Sequence, residues 1–144
     1  MTTTVTPSVN KIATGRIIGR MDFAIIPEAS VPSSPAAADK FTGGVWQADV
    51  LPATQPGGMR GNRFTYAPGA RSHWHIHTGE QALVVLSGRG LIQWEGLDEP
   101  KEISHGDWIH VQPGVPHWHG ATDDSTFVHL AITATGETDW INPV

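Results

Sequence analysis

Three histidines at alternate positions, His73, His75 and His77, sit inside the run Gly69–Gly88, G-A-R-S-H-W-H-I-H-T-G-E-Q-A-L-V-V-L-S-G. In an extended strand alternate side chains share one face, so all three rings can enter the same interior. Imidazoles gathered in an interior each need a polar partner, and the simplest partner they can share is a metal ion. The chain contains no cysteine. Any ion would therefore be held by His, Asn, Gln, Asp, Glu or water, and neither a thiolate nucleophile nor a disulfide framework is available.

The remaining sequence reads as all-β. Sixteen glycines and eleven prolines among 144 residues punctuate short apolar runs, and no segment carries a helical period of useful length. Strands are predicted over 45–50, 62–67, 72–77, 81–86, 90–94, 108–112, 115–120 and 126–133. Ser87-Gly88-Arg89-Gly90 reads as a tight connection and Asp123-Asp124-Ser125 as a turn. Ile17-Ile18 and Phe23–Ile26 read as further short strands. Residues 1–40 form an N-terminal extension whose Pro-, Ala- and Ser-rich part, Pro27–Asp39, is a surface loop or a lid; 41–144 make a single domain.

A formal charge of −5 and the absence of any Lys/Arg run exclude an ordinary nucleic-acid binder. No apolar run approaches the roughly 20 residues that cross a bilayer, and the start lacks a basic segment followed by an apolar one. The expectation is a soluble cytoplasmic protein without a membrane partner.

The histidines belong to a longer pattern: Gly69, five residues, His75, one residue, His77, three residues, Gln81, six residues, Gly88. Gly106-Asp107 and then Pro113-Gly114, two residues, His117 follow. This resembles the two signature motifs of the cupin superfamily over roughly 41–133. The resemblance implies a double-stranded β-helix, a jelly-roll β-sandwich, with one divalent metal ion. Carried over by position, His75, His77 and His117 match the three histidine ligands. Gln81 stands where the family usually has Glu, and Gln112 where it usually has Pro. A neutral amide in place of a carboxylate leaves the ion's full charge on the site and strengthens it as a Lewis acid. Zinc suits such work, and an N/O donor set is also open to Mn, Ni, Co and Fe.

His129 is the next most informative residue. The turn at 123–125 is expected to set its strand beside that of His117, with Cβ atoms about 5 Å apart. It is then a general base, a fourth ligand in place of Gln81, or a core histidine bonded to backbone. His73 is expected on the inward face, as a catalytic or substrate-contacting residue, an outer partner of the ligands or itself the fourth ligand; His119 shares that face and is equally open to such a role or to one as a structural partner. Phe64, Tyr66 and Phe127 either line an apolar mouth for an apolar or aromatic small molecule or pack the core. Asp49 and Asp107 are candidate outer partners of the ligands.

Two groups of small cupins share these features: the metal-dependent cyclases of aromatic polyketide biosynthesis, and the hydroxynitrile-lyase-like cupins. In the latter the histidine matching His129 is the catalytic base. The leading expectation is a zinc-dependent polyketide cyclase, closing a ring of a poly-β-ketone chain by intramolecular aldol condensation and aromatisation. A hydroxynitrile lyase or related small-carbonyl lyase comes next, then a dioxygenase, then a non-catalytic binding cupin. A homodimer is compatible with the resemblance, although no residue specifies one.

Overall fold

The computed structural model describes residues 9–11, 17–19, 23–52 and 56–144. The chain divides into two units, Met1–Pro32 and Ser33–Val144. In the first, β1 (Val9–Lys11) pairs antiparallel with β2 (Ile17–Gly19), and one 3₁₀ turn spans Glu28–Ser30. Phe23–Ile26, expected as a strand, has no regular structure. Phe23 and Ile25 are exposed, and the run joins no ladder. The parts of the expected extension at 1–8, 12–16 and 20–22 lie outside the described residues. From Ser33 onward the chain already belongs to the second unit.

That unit is built from β3 (Ser34–Pro35), β4 (Phe41–Thr42), β5 (Val45–Leu51), β6 (Met59–Tyr66), β7 (Arg71–Ser72), β8 (His75–His77) and β9 (Gln81–Trp94). It continues with β10 (Lys101–Ser104), β11 (Trp108–Val111), β12 (His117–Ala121), β13 (Phe127–Ala134) and β14 (Thr138–Trp140). One antiparallel layer runs β3-β5-β6-β13-β9-β11. The other runs β14-β8-β12-β9-β10, with β7 also on β12 and β4 on β7. The expected all-β jelly-roll architecture is present.

β9 belongs to both layers. Its first half pairs with β11 and β13, its second with β12 and β10. The sequence predicted two strands here, joined at 87–90; the chain instead stays in one strand of 14 residues. Gly88 supplies the change of direction with φ +75°, where a Cβ would collide with the Thr126 carbonyl. At Gly90 the Phe127 ring occupies the place of a side chain. Glycine here bends a strand rather than ending it.

The expected pairing of the His129 strand with the His117 strand does not occur. β12 has both edges taken, by β9 on one side and by β7 and β8 on the other. The chain therefore crosses to the other layer after Ala121, and His129 lies opposite Phe64 and Val85.

Between the layers Tyr66, Leu83, Val85, Ile92, Ala121 and Phe127 form a continuous apolar core. Trp118 faces away from His117 and is also covered. Arg71 stacks over its ring at 4.8 Å, and its indole N–H donates to Gln93 Oε1 at 3.1 Å. Among the described residues no helix is long and apolar enough to cross a membrane.

Candidate metal centre

β8 and β12 are paired so that His75 stands directly opposite His117, while His77 follows on the same face as His75. The three rings are buried, and one ring nitrogen from each lies within 4.8 Å of the others. The second layer adds Gln81, the first residue of β9, whose side chain is also buried.

The outer nitrogens decide what the inner ones can do. His75 Nδ1 donates to the carbonyl of His73 at 2.8 Å, and His117 Nδ1 to that of Val115 at 2.9 Å. A carbonyl only accepts, so both rings carry their proton on Nδ1 and a lone pair on Nε2. His77 Nδ1 has Thr138 Oγ1 at 2.9 Å, which can accept in the same way. His117 Nε2 then faces Gln81 Oε1 at 3.3 Å, acceptor against acceptor. The Gln81 amide N–H₂ lies 3.0 Å from His77 Nε2 and 3.0 Å from Thr133 Oγ1. A cation between His117 Nε2 and Gln81 Oε1, within reach of His75 and His77, would satisfy that unmatched pair, so the donor set fits a metal ion.

Electrostatics keep the rings in the binding form. Burial pushes His77 down to about 4, helped by His117 and Arg60. Burial, then the neighbouring His117, holds His75 well below the ordinary histidine range. His117 is lowered by burial, against a smaller opposing effect of its bond to Val115. Neutral imidazoles are the form that coordinates.

A second histidine system adjoins the first. His119, two residues along β12, is buried, and its ring centroid lies 5.2 Å from that of His75. Its Nδ1 meets the Tyr66 hydroxyl at 2.9 Å, and the same hydroxyl lies 3.4 Å from His129 Nε2. His129 Nδ1 donates to the Leu130 carbonyl at 3.1 Å, so His129 Nε2 is an acceptor. The single Tyr66 proton therefore goes to His129, and Tyr66 accepts from His119 Nδ1–H. That assignment, made from the network, leaves the lone pair of His119 on Nε2. Burial raises the Tyr66 phenol well above its ordinary value, so it stays neutral. Burial also lowers His129 to about 4 and, with the surrounding rings, holds His119 well below its usual range.

A cavity of about 510 Å³ opens over His75 and His77 and is lined as well by Gln81 and His119 together with Phe41, Phe64 and Trp140. Its wall also carries Lys40, Gln47, Asp49, Arg60 and Asn62. The apolar mouth expected from Phe64, Tyr66 and Phe127 is supplied by Phe64 alone of the three. Tyr66 and Phe127 are fully buried core residues. His129 is likewise off the cavity wall, its ring stacked on Phe64 and Tyr66 at 5.5 Å from each.

His73 does not share the inward face. The strand predicted over 72–77 breaks because the His73 N–H bonds Lys40 and the Trp74 N–H bonds Asn142. Ser72 and His75, three residues apart, are both buried, which a period of two cannot produce. The half-buried His73 ring lies by Thr42, and only its backbone carbonyl serves the site.

Asp49 lies on the cavity wall, where its Oδ1 accepts from Gln47 at 2.7 Å and Asn62 at 2.6 Å. Asp107 caps a turn by accepting from the Ser104 N–H. Thr138, Arg60 and Trp140 escaped the sequence reading. The alternation 60, 62, 64 along β6 was the one signal that could have found Arg60.

The sequence matches the family model described as Cupin domain over residues 62–133. It is 41% identical over 103 residues, 72% of this chain and 78% of the relative, to an (R)-mandelonitrile lyase of Granulicella tundricola. Among solved structures, a cupin-like protein from Thermotoga maritima superposes with TM-score 0.73 and 34% identity, covering 77% of this chain and 86% of that one. The polyketide cyclase RemF from Streptomyces resistomycificus superposes with TM-score 0.66 over 85% of each chain, at 16% identity. That last likeness is one of fold.

Proposed function

The chain belongs to the cupin family, and from that membership we propose that it is a metal-dependent lyase cleaving an α-hydroxynitrile into a carbonyl compound and hydrogen cyanide. His75, His77 and His117 would hold the ion, with Gln81 as the fourth protein donor. When bound, a divalent ion there supplies Lewis acidity to a substrate oxygen. Three imidazoles and a neutral amide suit zinc, and Mn, Fe, Co or Ni fit the same donors.

One observation carries the reading: His119, with a lone pair on Nε2, stands on the cavity wall beside the triad. His119 takes the proton of the substrate hydroxyl. The electrons of that O–H bond form the C=O bond, and those of the C–C bond leave with cyanide. Imidazolium His119 then returns the proton to cyanide, so atoms and charge balance. A base whose pKa burial has lowered is neutral when needed and a ready acid once charged. Tyr66 and His129 act through His119, fixing its tautomer and ring orientation. Phe41, Phe64 and Trp140 offer an aromatic surface for the rest of the substrate. The (R)-mandelonitrile lyase among the relatives supports this order over the cyclase first expected.

The cyclase reading keeps one supporting observation, a cavity within the volume range that buries drug-sized ligands. There the same His119 would take a proton from the CH₂ beside a ketone. Incubating purified, metal-analysed protein with racemic mandelonitrile tests the proposal. Benzaldehyde and cyanide should appear in equal amounts, without O₂ uptake, and stop on chelation. Metal-loaded protein that releases no cyanide, yet aromatises a poly-β-ketone mimic, would move the assignment to the cyclase. Occupied metal with neither turnover would leave a binding cupin.

A further inference from the structure

Arg60 is an unusual residue to find on this wall. β6 turns Arg60, Asn62 and Phe64 to the same face by alternation, and all three line the cavity. The Arg60 guanidinium donates to Thr138 Oγ1 at 2.9 Å and to the Gly136 carbonyl at 3.5 Å. Both acceptors are neutral. Among the described residues no carboxylate lies within ion-pair distance of Arg60 or of Lys40. Lys40 instead sets its ammonium 5.7 Å from the centre of the Trp140 ring, on the same wall.

Thr138 also bonds His77, so the guanidinium sits one hydroxyl away from a histidine of the triad. A fixed positive charge beside a site for a dication is repulsive unless an anion comes between them. Two of its five N–H groups are engaged, which leaves three for a ligand. A planar fork of N–H donors matches a carboxylate better than it matches any neutral group.

We propose that Arg60 is a carboxylate subsite, and that the natural substrate carries a carboxylate close to the carbon that reacts at the histidine triad. Lys40 adds long-range attraction at the same wall, set against the Asp49 carboxylate there, whose Oδ1 is occupied by the Gln47 and Asn62 amides. The proposal rests on the lyase reading only for what happens at the reacting end; the anion subsite stands on Arg60 itself.

Titration calorimetry on the metal-loaded protein, with mandelate and its neutral counterpart mandelamide as probes, tests it. Wild-type protein should bind mandelate about tenfold or more tightly than mandelamide, as a charge-assisted pair implies. Arg60→Gln keeps a donor for Thr138 but loses the charge, and should abolish the preference; Arg60→Lys should retain part of it. Equal binding of the two probes by wild type, or binding of neither, overturns the proposal. So does a preference that survives Arg60→Gln in protein that melts as wild type does, since the metal alone would then be holding the carboxylate. Should Arg60→Gln fail to fold, a preference reduced in folded Arg60→Lys supports the site, and an undiminished one overturns it. Mandelonitrile cleavage is read separately, so failure of this inference and failure of the lyase reading leave different results.

Discussion

Two sets of buried imidazoles lie side by side in this protein, and they differ in where their lone pairs go. In His75, His77 and His117 the outer nitrogens are engaged, by backbone carbonyls at His75 and His117 and by a hydroxyl at His77. The inner nitrogens converge on one another and on the Gln81 amide. In His119 and His129 the Tyr66 hydroxyl stands between the rings and absorbs the convergence. Both sets are desolvated and both are held neutral. Burial alone therefore does not make a metal site. What makes one is a cluster of acceptors with no protein donor left to satisfy them all.

The sharpest way to break this contrast is His117→Ala, which removes one of the three converging rings. Metal content by elemental analysis should fall to background and cyanide release with it, while circular dichroism still reports a β fold. His119→Ala should leave metal content intact and lower kcat/KM by about 10²–10⁴-fold, the usual worth of a general acid–base. Loss of metal in that variant would mean that the two sets are one. Thr138→Val strikes the partner of His77 Nδ1. Metal affinity by competition with a chelator should weaken by about 10–100-fold.

Tyr66→Phe should cost about 1–3 kcal/mol in denaturant unfolding, because His129 Nε2 loses its donor in a fully buried place. Its metal content should not change. His73→Ala, by contrast, should leave both metal content and turnover as they are, since the carbonyl that orients His75 remains. A large loss there would show that the ring, not the backbone, serves the site.

The triad and Gln81 were legible because their spacing follows the period of a strand and the motif of a family. The partner of His129 was not, because adjacency in sequence says nothing about which edges of β12 are already occupied. The Tyr66 link between His119 and His129 depends on two layers meeting, which no local pattern encodes. Arg60 fell outside a strand read as starting at Asn62; two further residues of ladder bring it onto the cavity wall. The error at Ser87–Gly90 had the opposite cause. Glycines that read as a turn instead let one strand change its partners between layers.

That shared strand has a consequence for how the protein holds together. Gln81 is paired to β11 and β13, whereas His75, His77 and His117 stand in the opposite layer. An ion gripped by all four is a rivet through both plates of the sandwich, complete only when the plates have closed. Free ion at a hundred times its dissociation constant would then add about 2.7 kcal/mol to the unfolding free energy. Heat resistance should climb with the logarithm of free metal concentration, so the same atoms that prepare the chemistry also meter the lifetime of the fold.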